Sequence, residues 1–347
     1  MTKIAIIGGG FFGTAIAIKI KENFKNYNVT IFEKKDDLLK GTSGKNQFRC
    51  HRGYHYPRSD NTFLECKTSL NSFENFFNSC FINSENFYSI AIKDSKISFE
   101  EYLKYLDRVR LNYEITNHPL IKKEMSQGVI KAEEKILNIN KARNLIKKKI
   151  GYSNINIKYN FEVELSNTFY KEYDLIILTT YENNNFLKNQ FGIKTEKYFH
   201  QFVEKIIIKA PDSFKNFSCV VLDGDFVCID PFMDKHIIGH VKKSEIKNMN
   251  TNDKLELNIK ETKNLNNYFV NAKKISKFAE IKKDLNKYFN DFKDAKYLSS
   301  FFVVRCTKKN KNDERTTTID FNDKIISVHS GKWINCFEAA QNICKTI

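Results

Sequence analysis

No Cys-x-x-Cys pair occurs among the eight cysteines, which are scattered along the 347 residues. That removes the usual dithiol and zinc spacings and reads as free thiols in a reducing compartment. No apolar run approaches membrane-spanning length. The first strand starts at Lys3, which leaves no room for a signal peptide, so a cytoplasmic protein is expected. Internal repeats and low-complexity linkers are absent, and tryptophan occurs once, at Trp333. Acid is also short: 41 Asp+Glu stand against 57 Lys+Arg, a net charge of +16. The lysines are spread through the chain rather than set along one helix, which argues against a nucleic-acid partner and for small anionic ones. The length allows one large or two modest domains with a real core.

What is present is concentrated at the start. Lys3–Ile7 is a short apolar run, Gly8-x-Gly10-x-x-Gly13 follows at once, a helix begins, and Asn28–Phe32 forms a second apolar run ending in Glu33. This is the order of a dinucleotide site. Gly8 permits the tight turn, Gly10 lets a pyrophosphate approach the backbone, and Gly13 lets the helix pack close. The helix N-terminus offers N–H groups to the phosphates. Glu33 can accept from ribose hydroxyls, and Phe11, Phe12 and Lys34 flank these positions.

Further along, Tyr173–Thr180 and Lys324–Val328 read as buried parallel strands. Asn61–Phe81, Ser98–Leu111, Asn140–Ile150, two pieces within Asn258–Phe289, and Trp333–Cys344 read as helices, with Ser98 and Glu101 as a capping box. Phe87–Ile92, Val129–Leu137, Asn154–Tyr159, Phe161–Leu165, Lys197–Lys209, Cys219–Leu222, Phe226–Ile229, His236–Val241 and Leu298–Val304 read as strands, several in antiparallel spacing. The expected fold class is α+β/α/β: a Rossmann-like parallel-sheet domain with an inserted antiparallel-sheet substrate domain. The first is assigned to 1–80, 140–195 and 300–347, the second to 81–139 and 196–299.

Three blocks resemble the FAD-dependent oxidoreductases of the D-amino acid oxidase (DAO) superfamily: the Gly8–Glu33 fingerprint, the loop Gly41–Arg58 with RCHRGYHYPRS, and the C-terminal strand running into Gly331-Lys332. The loop, with FVCIDPFMDKHIIGHV further on, looks like a branch of bacterial flavoproteins carrying HxGYHYPRS, several of which occur with surface-polysaccharide genes. It is more loosely similar to L-2-hydroxyglutarate oxidases. The resemblance implies FAD rather than NAD, hydride transfer to the flavin N5 from a C–H beside an amine or hydroxyl, and a substrate lying over the ring on the antiparallel sheet. Where many relatives carry Gly-Arg-Pro, Asp313-Glu314-Arg315-Thr316 stands, so the role of Arg315 is open.

On that footing Thr42, Ser43, Asn46 and His51 are candidate flavin contacts. Gly331, Lys332 and Trp333 are candidates at the pyrimidine end, where helix N–H groups stabilise negative charge. Tyr54, His55 and Tyr56 are expected to shape the pocket, with His55 a candidate for proton transfer. Arg52 and Arg305 are the expected anion clamp, because a planar guanidinium holds a carboxylate by two bonds. No metal is expected: His51–His55 spans Gly53 and precedes Pro57, so it is not helical, and His236–His240 sits on a strand. Two other readings stay open: a flavoenzyme acting on a sugar or nucleotide-sugar, and a non-catalytic FAD-binding scaffold.

Overall fold

The computed structural model describes residues 1–164, 166–308 and 314–347. Its first layer is a six-stranded sheet in the order Thr318–Asn322, Ile325–His329, Leu175–Leu178, Lys3–Ile7, Asn28–Phe32, Asn156–Lys158. All neighbours are parallel except the first pair. Ile4–Ile7 is buried on both faces, as a central parallel strand requires. The helices Phe11–Asn23 and Cys336–Thr346 pack together on one face, closing a core of Ile6, Ile16, Ile20, Ala340 and Ile343. The sheet therefore draws on the beginning, the middle and the end of the chain, as the apolar runs imply.

The second layer is a nine-stranded, mainly antiparallel sheet. Its path runs Glu245–Thr251, Tyr198–Lys209, Lys235–His240, Val227–Phe232, Phe217–Leu222, Glu85–Ala91, Ser126–Ala132, Tyr113–Thr116, and Lys296–Thr307 also pairs with Tyr198–Lys209. A small third sheet joins Arg49–Cys50, Lys135–Leu137 and Phe81–Ile82. The expected capping box is formed: Ser98 Oγ accepts from the Glu101 N–H at 3.1 Å, and Glu101 accepts from the Ser98 N–H at 2.7 Å.

Three details differ from the expectation. Lys296–Thr307 pairs with the second sheet along its whole length, so the chain re-enters the first sheet at Thr318–Asn322 rather than at 300. Phe161–Glu164 is not a strand; Phe161 leaves the sheet to pack on Phe32, ring centroids 5.3 Å apart, and Leu165 lies outside the described residues. Glu245–Thr251 and Thr318–Asn322 are strands at sheet edges whose half-exposed polar sequences carry no apolar run. Asp313 of the Asp-Glu-Arg-Thr segment also lies outside the described residues.

Candidate active site

The strand Lys3–Ile7 ends in a turn built by its glycines. Gly8 has φ +106°, and a Cβ there would stand 2.7 Å from the Thr179 carbonyl oxygen. A Cβ on Gly13 would stand 1.9 Å from the Gly8 carbonyl oxygen, so helix and turn touch backbone to backbone. At Gly10 the nearest atom to such a Cβ is Ser43 Oγ, 2.8 Å away, and that hydroxyl accepts from the Phe11 N–H at 3.2 Å. The Glu33 carboxylate folds back on the turn, accepting from the N–H groups of Gly9 at 2.7 Å and Lys35 at 2.8 Å. Burial raises its pKa above the ordinary value, against the pull of those two donors.

A cavity of about 950 Å³ opens from this turn, passes along the loop after Gly41, and ends on the face of the second sheet. Gly8, Gly10, Phe11, Phe12, Glu33 and Lys34 line its first part. Thr42, Ser43, Asn46, His51 and His55 line its middle, opposite Gly331, Lys332 and Trp333. Gly13 lies behind the wall. Asn46 spends its amide inside the loop, its Oδ1 accepting from the Phe48 N–H at 2.6 Å and its Nδ2 donating to the Ser43 carbonyl at 3.1 Å. Trp333 stacks on Phe11 with centroids 5.0 Å apart, so it packs as well as lines. Lys332 Nζ stands 4.2 Å from the Tyr56 ring centroid, and burial lowers its pKa to about 7.

The rings of His51, His55 and Tyr56 lie 5.3–5.5 Å apart. The Nδ1 atoms of both histidines and the Tyr56 hydroxyl are buried without a hydrogen-bond partner among the described residues. Burial, then the nearby Lys332 charge, lowers His51 to about 4; burial and His51 hold His55 well below its ordinary value. Both are neutral imidazoles at pH 7.

Several expected site residues are elsewhere. Arg52 is not at the cavity: its Nη2 donates to both carboxylate oxygens of Glu74 at 2.8 Å, and a guanidinium neutralised in this way does not wait for a substrate. Tyr54 is a core residue, its hydroxyl donating to the Asn112 carbonyl and its ring stacked on Tyr88. Tyr56 stands behind the lining, reaching the cavity through Lys332. Arg305 is on the floor of the cavity, its Nε donating to Gln201 Oε1 at 2.7 Å across the paired strand. His236 and His240 do not meet: His236 Nε2 bonds the Phe214 carbonyl at 2.9 Å, while His240 Nε2 faces Asp284 at 3.6 Å. Among the described residues, no group of three His, Cys, Asp or Glu is placed to share a metal ion.

Sequence reasoning missed Arg49, Gln47, Lys205 and Asp230, all of which line the cavity. Arg49 is the centre of a buried ionic network. Its Nε donates to Asp230 Oδ1 at 2.7 Å, its Nη1 to Glu134 Oε2 at 2.9 Å, and its Nη2 to Ser218 Oγ. Glu134 also accepts from the Tyr88 hydroxyl at 2.5 Å and lies 3.4 Å from His51 Nδ1. Burial pushes the Glu134 carboxyl up, but the surrounding His51, Arg49 and Tyr88 outweigh it and hold the carboxyl well below the usual range. The only sequence signal for Arg49 was its place at the head of the histidine–tyrosine loop.

The FAD dependent oxidoreductase family (DAO) matches residues 3–124. That match spans about a third of the chain, and over its whole length the chain has the fold of FAD-binding oxidases. It is 28% identical over 174 residues to the FAD-dependent monooxygenase kojA of Aspergillus flavus, a match covering 47% of this chain and 39% of that protein. The chain thus spans about two fifths of the length of that relative. A stretch of 54 residues is 37% identical to the L-2-hydroxyglutarate dehydrogenase of Indibacter alkaliphilus, covering 16% of this chain and 14% of the relative. Among solved structures, the glycine oxidase of Geobacillus kaustophilus superimposes with TM-score 0.69 at 10% identity, covering 99% of this chain and 94% of that one. The FAD-bound L-α-glycerophosphate oxidase of Mycoplasma pneumoniae does so with TM-score 0.72 at 14% identity, over 99% and 94%. At such identities the structures speak for the fold alone. The chain has no helix among its described residues long and apolar enough to cross a membrane.

The residues present fit the cofactor. The turn keeps a side-chain-free approach at Gly10 beside a helix N-terminus, Glu33 closes the end of the second strand, and one cavity leads from there to the loop and to Gly331-Lys332.

Proposed function

We propose that the protein oxidises a small anionic molecule at a carbon bearing an amine or a hydroxyl. The observation that carries this reading is the continuity of one cavity from the dinucleotide turn to a sheet floor bearing the Arg305 guanidinium. FAD, when bound, supplies the hydride acceptor at N5. The chain's residues supply the rest. Gly8, Gly10 and the N-terminus of the helix Phe11–Asn23 take the pyrophosphate, and Glu33 takes the adenosine ribose. Ser43, His51, Gly331 and Lys332 border the ring system. Arg305 orients the substrate's acid group, because a carboxylate left unpaired in such a site is costly and the reacting carbon must be aligned. His55, neutral and with an unpartnered Nδ1, accepts the amine or hydroxyl proton in this reading.

The test is anaerobic mixing of the purified yellow protein with amino acids, 2-hydroxy acids and glycerol 3-phosphate. At least one is expected to bleach the visible flavin absorbance. Arg305→Lys keeps the charge and loses the fork, so its turnover is expected to fall about ten- to a hundredfold with FAD still bound. Retained FAD that no acid bleaches favours the non-catalytic scaffold. Bleaching by neutral sugars alone favours the sugar-modifying reading.

Glu33→Ala tests the other end. Loss of a charge-assisted hydrogen bond is worth about 1.5–3 kcal/mol, roughly ten- to a hundredfold in affinity. FAD is therefore expected to leave the variant on dialysis while its fold, followed by circular dichroism, is kept. Flavin occupancy equal to that of the parent would remove Glu33 from the ribose site.

A further inference from the structure

We infer that Lys205 is a specificity-determining residue, the charge partner of the substrate's acid group on the cavity floor. The inference rests on the anionic-substrate reading above and deepens it.

Lys205 lies in the long strand Tyr198–Lys209 between Glu204 and a run of isoleucines. Side chains of a strand alternate, so Val203 and Lys205, two apart, point to the same face, and both line the cavity. An ammonium in such a place needs both hydrogen bonds and countercharge. The nearby arginines have theirs: Arg49 has Asp230 and Glu134, Arg52 has Glu74, and Arg58 has Asp223 at 2.5 Å. Lys205 has no carboxylate within 4 Å among the described residues. Its Nζ donates to Gln47 Oε1 at 2.7 Å, and Gln47 Nε2 in turn donates to Cys228 Sγ at 3.0 Å. A neutral amide satisfies a hydrogen bond but leaves the charge unmatched.

The neighbourhood is shaped to keep this pair in the cavity. A Cβ on Gly239 would stand 2.6 Å from Gln47 Nε2 and 3.7 Å from Lys205 Nζ, so the floor strand is bare where the amide crosses it. Arg305, which pairs with Gln201 four positions from Lys205 along the same two strands, lines the same floor. An acid group arriving there meets the Lys205 ammonium on the floor that Arg305 also lines, while Arg49 has its charge already spent on Asp230 and Glu134. The chemistry recognised is a carboxylate or phosphate monoanion, bound by a point charge and oriented by a fork.

The alternative is that Lys205 only ties the Gln47 loop to the sheet. Titration separates the two. Burial lowers the Lys205 ammonium to about 8, Arg305 adds to that, and Cys228 and Asp230 oppose it. An anion partner needs the protonated form, so affinity should fall as pH rises through about 8, whereas a strut makes no such demand on ligand affinity.

The experiment uses the FAD-loaded protein and three probes, propionate, glutarate and inorganic phosphate, with binding read from perturbation of the visible flavin spectrum. The tightest probe is expected to weaken about ten- to a hundredfold in Lys205→Met at unchanged flavin content. Lys205→Arg is expected to restore most of the affinity and to hold it level from about pH 7 to about pH 9, where the parent loses it. Parent-like affinity in Lys205→Met overturns the inference. Should that variant lose FAD, the parent and Lys205→Arg compared across pH decide: a fall shared by both overturns it, as does an affinity flat in both, and a fall confined to the parent supports it. If no probe perturbs the parent's flavin at any pH, the anionic-substrate reading falls and this inference falls with it. Binding that survives Lys205→Met but fails in Arg305→Lys leaves the anionic reading standing and removes Lys205 alone.

Discussion

Gly10→Val is expected to give a soluble, folded protein that purifies without yellow colour. Gly10 sits at φ −77° and ψ −172°, extended backbone that valine adopts without strain, so the effect is one of volume and not of conformation. The new Cβ would meet Ser43 Oγ at 2.8 Å. That oxygen is the end of a short rotatable side chain, and the hydrogen bond it would give up, from the Phe11 N–H, is a single 3.2 Å contact. The fold can accommodate this; a phosphate resting against the helix N-terminus cannot, because the branched methyls would occupy its place. Gly13→Val makes the contrast. Its Cβ would lie 1.9 Å from a backbone oxygen that nothing nearby can move, so that variant is expected to misfold. The ratio of flavin to protein absorbance after gel filtration, read beside circular dichroism, checks both. A full complement of flavin on Gly10→Val would mean that the pyrophosphate does not sit on this turn.

These glycines were legible in the sequence because their constraints are local: turn, helix start and second strand all fall between Lys3 and Glu33. The parallel sheet was legible for a related reason, since a strand buried on both faces is mostly apolar: Leu175–Leu178 is so throughout, and Ile325–His329 is so but for Ser327 and His329. The site beyond the loop was not. Arg49 and Arg52 stand three residues apart in one loop, and nothing local says which faces the cavity. The answer lies in their carboxylates: Glu74 is 22 residues from Arg52, while Glu134 and Asp230 are 85 and 181 from Arg49. Only the third sheet, pairing Arg49–Cys50 with Lys135–Leu137, brings Glu134 close. Lys205 was hidden differently, as one lysine in a lysine-rich chain, distinguished only by a strand phase that points it inward. The tyrosines of the loop read as pocket walls because their spacing was visible and their burial was not.

Arg49→Met is expected to be the most destabilising conservative-volume change in the loop. Arg49 ties two sheets together: it stands on a two-residue strand of the third, takes Glu134 from the turn before Lys135–Leu137, and reaches Asp230 and Ser218 on two strands of the second. Its side chain is 3% exposed and both carboxylates are 0% exposed, so removing it strands two negative charges in the interior. Breaking a buried pair from one side costs about 3–5 kcal/mol, more than deletion of an ordinary core contact at the surface of a cavity. The pH dependence carries the signature. In the parent, Glu134 is held below its unfolded value, so its contribution is full at neutral pH and is lost only as pH falls through that depressed value. In the variant the same carboxyl and Asp230, whose pKa burial already raises, lose their cation and take up protons on folding. Their folded pKa values then lie above the unfolded ones, and the variant gains stability as pH falls toward the ordinary carboxylate range of about 4. The stability gap between parent and Arg49→Met is therefore expected to be widest near neutrality and to narrow toward about pH 5. Urea unfolding of both proteins across that range measures it, with flavin retention expected to drop alongside because the loop carrying Ser43 and His51 is anchored at this residue. A gap that stays constant with pH would mean that the guanidinium contributes packing and hydrogen bonds but no countercharge.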